Sequence, residues 1–393
     1  MKHYLILITI LFFGSGLFAQ SQPSTDGFQF TTVKENPITP VKNQASSGTC
    51  WCFSGLALIE SDLIRAGKGS IDLSEMFIVH KNYQDKAKKY VRMQGKTNFS
   101  GGGSFADVLD AIRDCGIVPE AEQLGLNYGE KTHRHSEMDA LLGSYVKTII
   151  DKKNLTVAWF EGYKGIIDTY LGKCPEKFTY DGKEYTPQTF AQSLGIVPDD
   201  YVSLTSFTHH PFYTAFPVEV QDNWRWALSY NVPLEELSGA IYGAINDGYS
   251  VAWATDVSEK GFTRNGIATV PDYEAPEGPG SDQAHWLGLT PAEREKAITD
   301  SEKPVKELTI TQEMRQAAFD NYQTTDDHGM LIYGTAKDQN GTNYFLVKNS
   351  WGNKSKYGGI WYASEAFVKY KTISVVVHKN ALSKELKQKL NIR

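Results

Sequence analysis

Four cysteines in 393 residues are too few for a disulfide-built scaffold. Two of them, Cys50 and Cys52, lie one residue apart, too close for an ordinary bridge. A Cys115–Cys174 bridge is open but nothing in the sequence requires it. Basic charge is not in excess. There are 40 Lys and Arg against 46 Asp and Glu, and no basic patch of nucleic-acid type, so nucleic-acid binding is not expected. No internal repeat is evident. His133-x-His135 and His209-His210 have no Cys or acidic partner at ligand spacing, so no metal or other cofactor is expected and these histidines read as solvated or packed. The one strongly apolar run, Tyr4 to Phe13, is too short to span a bilayer.

That run belongs to a recognisable leader. "MKHYLILITILFFGSGLFAQ" has a short basic start, an apolar centre and small residues before Gln20, the plan of a secretory signal. The expectation is residues 1–19 as signal peptide, cleavage after Ala19, and a mature chain that is periplasmic or secreted, with no stable membrane insertion. Apolar residues make up 41% of the chain, enough for a substantial core.

The remainder divides into two kinds of pattern. From Ser21 to about Thr32 the chain reads as a polar, flexible leader, and Pro37 and Pro40 keep the next stretch extended. Then come helical periodicities. Phe53, Leu56, Ala57, Ile59, Leu63 and Ile64 describe one buried face. A second helix opens after Ser74, and a third runs from Phe105 to a stop at Gly116. Further helices are expected over 136–153, 186–196, 233–248 and 311–323. Strand signals dominate the end, with a hairpin turn at Asn340-Gly341, and the tail from Asn380 reads as a basic helix. Helices first and antiparallel strands last predict an α+β chain of two packed halves. A central region, about 131–230, and a polar stretch, 259–306, read as insertions, the second as a solvated loop more than as a lid.

The stretch "NQASSGTCWCFSG" (43–55) sits at the first helix start. A helix N-terminus lowers a thiol pKa, and the thiolate is the nucleophile, so Cys50 is well placed for chemistry. Cys52 points about 200° around the axis from Cys50 and should face the core. A nucleophilic cysteine needs a base and a group to orient it. Of nine histidines, only His328 stands at the start of a strongly apolar strand. Asn349 follows the next apolar strand; its amide can hold an imidazole, with Trp351 shielding that bond from water.

These residues resemble the signature of the papain-like (C1) cysteine peptidases. Gln44, five residues, then Cys50-Trp51-Cys52-Phe53 is similar to the family's active-site segment. "LSE" (73–75), "GGGSFADVLDAIRDCGI" (101–117), "DHG" (327–329), "KNSWG" (348–352) and "YGGIWYA" (357–363) resemble its later motifs, in order. His328 lies about twice as far from Cys50 as the ~130–150 residues usual in papain-like enzymes. That spacing, with "TPQTFAQSLGIVPDDYVSL" (186–204) and "LSYNVPLEELSGAI" (228–241), resembles the bleomycin hydrolase and aminopeptidase C subfamily, here in exported form.

The resemblance implies a papain-like fold and peptide substrates. It implies Cys50 as nucleophile, His328 as base and then acid, and Asn349 as the acceptor that orients His328. Gln44 and the Cys50 N–H would form the oxyanion hole. Gly102 and Gly103 would bind the substrate backbone, beside Trp351, and the assembly would be a hexamer. Ser47 replaces a cysteine that many papain-like enzymes bridge. The subfamily's C-terminal arm, which lies in its cleft and restricts cutting to N-terminal residues, normally continues past the point corresponding to Arg393. The expected activity is aminopeptidase; the alternatives are endopeptidase action or a catalytically silent peptide-binding homologue.

Overall fold

The computed structural model describes residues 27–272 and 303–393. The expected signal peptide and most of the 259–306 stretch lie outside the described residues. Six helices dominate the first half: α1 (Cys50–Arg65), α2 (Glu75–Arg92), α3 (Phe105–Cys115), α4 (Ser136–Ile150), α5 (Ala158–Leu171) and α6 (Pro187–Leu194). A seventh, α7 (Leu234–Asn246), leads into the β half. Ser74 caps α2 through its hydroxyl, which accepts from Phe77 N at 3.1 Å. Gly116 ends α3 at φ +79°, a conformation that favours glycine.

Helix α1 departs from the expected single buried face. Every residue from Trp51 to Leu63 is buried. The helix is sandwiched between α2 and α3 on one side and two sheet strands on the other. Small residues permit this: a Cβ on Gly55 would stand 2.8 Å from Val108 Cγ2. Its buried acid Glu60 is satisfied from outside the helix. Glu60 accepts from Thr39 Oγ1 at 2.5 Å and Leu73 N at 3.0 Å.

The strands are β1 (Thr31–Glu35), β2 (Phe178–Tyr180), β3 (Lys183–Tyr185), β4 (Tyr201–Thr205), β5 (Ala215–Pro217), β6 (Leu228–Asn231), β7 (Val251–Thr255), β8 (Ile267–Ala268), β9 (His328–Lys337), β10 (Asn343–Lys348), β11 (Ile360–Ser364) and β12 (Thr372–His378). Ten of them form one sheet in the order β5-β6-β4-β12-β7-β9-β10-β11-β8, with β1 also paired to β9. The sheet is mixed, not purely antiparallel as the sequence suggests: β4–β6 and β11–β8 pair in parallel. The β9–β10 hairpin turns at Asn340-Gly341, where Asp338 Oδ1 accepts from Asn340 N and Thr342 N, both at 2.9 Å. Residues 28–35 are not loose leader. Phe30 stacks on Tyr362 with centroids 3.8 Å apart, and β1 follows at once.

Two cores result. The helical core gathers α1–α6, and the second lies between the sheet and α7 with the final helix Lys384–Lys389. The central region joins both: Met138, Val146 and Ile167 enter the helical core, while β4–β6 extend the sheet. The α+β division places the N-terminus of α1 against the start of β9. A Cβ on Gly329 would lie 2.7 Å from Ser54 Oγ and 3.3 Å from Trp51 Cα. No helix among the described residues is long and apolar enough to cross a membrane.

Candidate active site

Cys50 is the first residue of α1, half-buried at the floor of a cleft of about 400 Å³. The same cleft is lined by His328, Gly103 and Trp51. Gly329, the residue after His328, lines it too and packs against Trp51, so nucleophile and histidine strand meet directly. The separation of 278 residues between Cys50 and His328 is closed by the packing of β9 on α1.

His328 is buried and its Nε2 lies 2.8 Å from Asn349 Oδ1. Asn349 Oδ1 also accepts from the Ser350 N–H at 2.7 Å. An atom that accepts from a backbone N–H is the oxygen, so the amide orientation is fixed. Nε2 therefore carries the proton, and the lone pair is on Nδ1. Trp351 lies over the imidazole at 4.7 Å between ring centroids and shelters the His328–Asn349 bond. It packs on the base; it does not line the cleft.

Gln44 is held at the same junction. Its backbone N–H donates to Ser350 O at 2.8 Å, and its Oε1 accepts from Ser350 Oγ at 2.6 Å. Its Nε2 donates one hydrogen to Ser47 O at 2.8 Å, leaving the second for another acceptor. The Cys50 N–H belongs to the first turn of α1, where backbone donors have no acceptor within the helix. Ser350 was not singled out from sequence, yet it ties the Gln44 loop to the Asn349 loop; its place inside "KNSWG" was the available signal.

Burial sets the resting protonation. It pushes the Cys50 thiol up to about 12, with Asp326 and Asp222 adding to the effect and the Gly329 N–H opposing it. It pushes His328 down to about 4, against the opposing hydrogen bond to Asn349. Both directions favour the neutral thiol and the neutral imidazole, a pair in which Nδ1 is free to take the thiol proton.

The glycine loop splits. Gly103 lines the cleft and packs on Trp51, with a would-be Cβ 2.9 Å from Cε2. Gly102 does not line it, because the Asp222 carboxylate covers it. Trp51 Nε1 donates to Gly101 O at 3.0 Å and docks the loop on α1. Cys52 is fully buried, with its thiol directed at Glu75 O, 3.4 Å away. Cys115 and Cys174 are unbridged.

One group of metal-ligand type occurs among the described residues: His209, His210 and Glu219, a carboxylate partner that sequence spacing did not reveal. It is closed by hydrogen bonds. Gln316 accepts from Thr208 N through Oε1 at 2.5 Å, so its Nε2 faces His209 Nδ1 at 3.1 Å. That leaves the proton of His209 on Nε2, directed at Glu219 2.9 Å away, where a metal would need a lone pair.

Comparison with known proteins gives the family. The model of the "Papain family cysteine protease" matches residues 25–161, and that of the "Peptidase C1-like family" matches residues 291–393. The chain belongs to the papain-like cysteine peptidases. This peptidase is 23% identical to "Aminopeptidase C" of Listeria monocytogenes over 89% of its length and 82% of that protein's. It is also 23% identical to "Aminopeptidase G" of Lactobacillus delbrueckii subsp. lactis, over 91% and 85% respectively. The crystal structure of PepW from Lactobacillus rhamnosis superposes with a TM-score of 0.68, covering 92% of this peptidase and 84% of that chain at 21% identity, which shows a shared fold.

Proposed function

We propose that this peptidase is an exported aminopeptidase that removes residues from the free N-terminus of peptides by a Cys-His-Asn mechanism. The observation that carries the chemistry is the Asn349–His328 hydrogen bond, which leaves Nδ1 as the base in the cleft that holds Cys50. His328 Nδ1 takes the thiol proton as Sγ attacks the substrate carbonyl. The carbonyl oxygen, now negative, is met by the Cys50 N–H and the second hydrogen of Gln44 Nε2. The imidazolium gives its proton to the leaving amine. Water then attacks the thioester with His328 again as base, and free Cys50 is restored.

The exopeptidase direction is supported by the aminopeptidases similar to this chain across most of their lengths. Export is supported by the leader pattern of residues 1–19. Two fluorogenic substrates test the reading, one with a free N-terminal residue and one N-acetylated. The free-amine substrate is expected to be cleaved far better; equal efficiency would sink the aminopeptidase assignment. Cys50→Ala is expected to cleave neither.

A further inference from the structure

Five carboxylates line the cleft: Asp110, Asp199, Asp222, Asp326 and Asp327. Three have evident partners. Arg113 bridges Asp110 and Asp199, the latter at 2.8 Å. Asp327 accepts from Thr325 Oγ1 at 2.8 Å and from Ser258 N at 3.2 Å. The other two have no ion pair. Asp222 accepts from Asn98 Nδ2 at 2.9 Å, and the nearby Lys86 directs its ammonium at the carbonyls of Ser100 and Gly102. Asp326 has no hydrogen-bond or ion-pair partner among the described residues. Burial, with Asp222 and Asp327 adding to the effect, pushes its carboxyl up to about 8; burial raises Asp222 as well, against the attraction of Lys86.

These two groups come from separate elements. Asp326 stands two residues before His328. Asp222 lies between β5 and β6 and reaches across to the glycine loop, where a Cβ on Gly102 would be 2.1 Å from its Oδ2. Both line the same cleft as Cys50. Beside Asp222, Asp326 resists ionisation, and a cationic ligand in the cleft relieves that cost. The position gives the ligand's chemistry. A substrate backbone running along Gly103 and past Gly102 would meet the Asp222 carboxylate. A longer peptide is stopped there, whereas a terminal ammonium is held.

We propose that Asp222 and Asp326 form the receptor for the α-ammonium group of the substrate's first residue. The proposal rests on the aminopeptidase reading and names the groups that produce it. An α-amine has an ordinary pKa of about 7.7–8.0, so it is largely cationic at neutral pH. Held between the two carboxylates, it fixes how far the peptide enters and which carbonyl reaches Cys50. Asp222 and Asp326 are binding residues; they take no part in proton transfer.

The test compares wild type, Asp222→Asn and Asp326→Asn on three fluorogenic amides: free alanyl, N-acetylalanyl and N-acetyllysyl. Each variant is expected to raise KM for the free alanyl substrate at least about tenfold with a smaller change in kcat. The ratio of kcat/KM for free over acetylated alanine should fall toward one. The rate of Cys50 alkylation by iodoacetamide, which needs no ammonium, reports that each variant keeps its catalytic pair. If both variants alkylate normally and keep the wild-type ratio, the receptor assignment is wrong while the aminopeptidase reading stands. If wild type prefers N-acetyllysyl over free alanyl amide, the cleft reads a side-chain ammonium and the proposal is overturned. If wild type does not discriminate between free and acetylated alanine, the aminopeptidase reading itself falls.

Discussion

At His328 one hydrogen bond decides which nitrogen can accept a proton. Asn349 Oδ1 is fixed by the Ser350 N–H and takes the Nε2 proton, so Nδ1 is the base. Removing the acceptor frees the tautomer and the ring. Asn349→Ala is therefore expected to lower kcat by more than about tenfold with KM little changed. Gln44→Ala removes an oxyanion donor and should lower kcat by about 10²–10³. Cys52→Ala, two residues on from the nucleophile but facing Glu75, should alter stability and leave kcat close to wild type. The pH profile carries a further signature. His328 must be neutral to act, and burial pushes it down to about 4. The acid limb of kcat/KM should therefore fall near pH 4 and not near the ordinary histidine value of about 6.5. The limb belongs to the thiol–imidazole pair as a unit. A limb at 6.5 would contradict the buried site.

Between elements, the decisive contact is the close approach of β9 to α1. Gly329 permits it, since a Cβ there would stand 2.7 Å from Ser54 Oγ. Gly329→Ala should push the histidine strand away from the nucleophile and lower kcat/KM more than it lowers thermal stability, measured side by side. The segments that form this contact were legible in the sequence: the periodicity after Trp51 and the apolar strand after His328. Their contact was not, because spacing along the chain says nothing about which surfaces meet; only family resemblance joined them. Two other features were hidden for physical reasons. The all-round burial of α1 depends on what packs against its polar face: Glu60 and Ser61 read as solvent-facing until Thr39, Leu73 and Pro37 are seen to bond them, and Ser54 turns back to donate to Cys50 O in its own helix. Strands β4, β5 and β6 are short, so their alternation is weak, and they join the sheet through the pairing of β4 with β12, far away in sequence. Asp222 belongs to no motif at all.

Across the molecule, buried histidines tie stability to pH. His135 is 1% exposed, neither ring nitrogen has a partner, and burial pushes it down to about 4. The unfolded chain therefore binds more protons than the folded one between about 4 and 6.5. The stability is fully present above about 6.5 and is lost as pH falls toward about 4. Glu307, whose carboxyl burial pushes up to about 7, contributes with the opposite sign, so the comparison must be made against a variant. His135→Leu should lose less of its thermal midpoint than wild type over that window, by the equivalent of about 3 kcal/mol. Function at this scale rests on a cleft between two cores, with a nucleophile from one and a base from the other. The most direct measurement is mass-spectrometric mapping of the inhibited enzyme after reaction with a peptidyl epoxide bearing a free N-terminus. One adduct on Cys50, absent in His328→Ala, is the predicted result. An adduct on Cys52, Cys115 or Cys174, or peptide hydrolysis that survives in Cys50→Ala, would contradict the assignment.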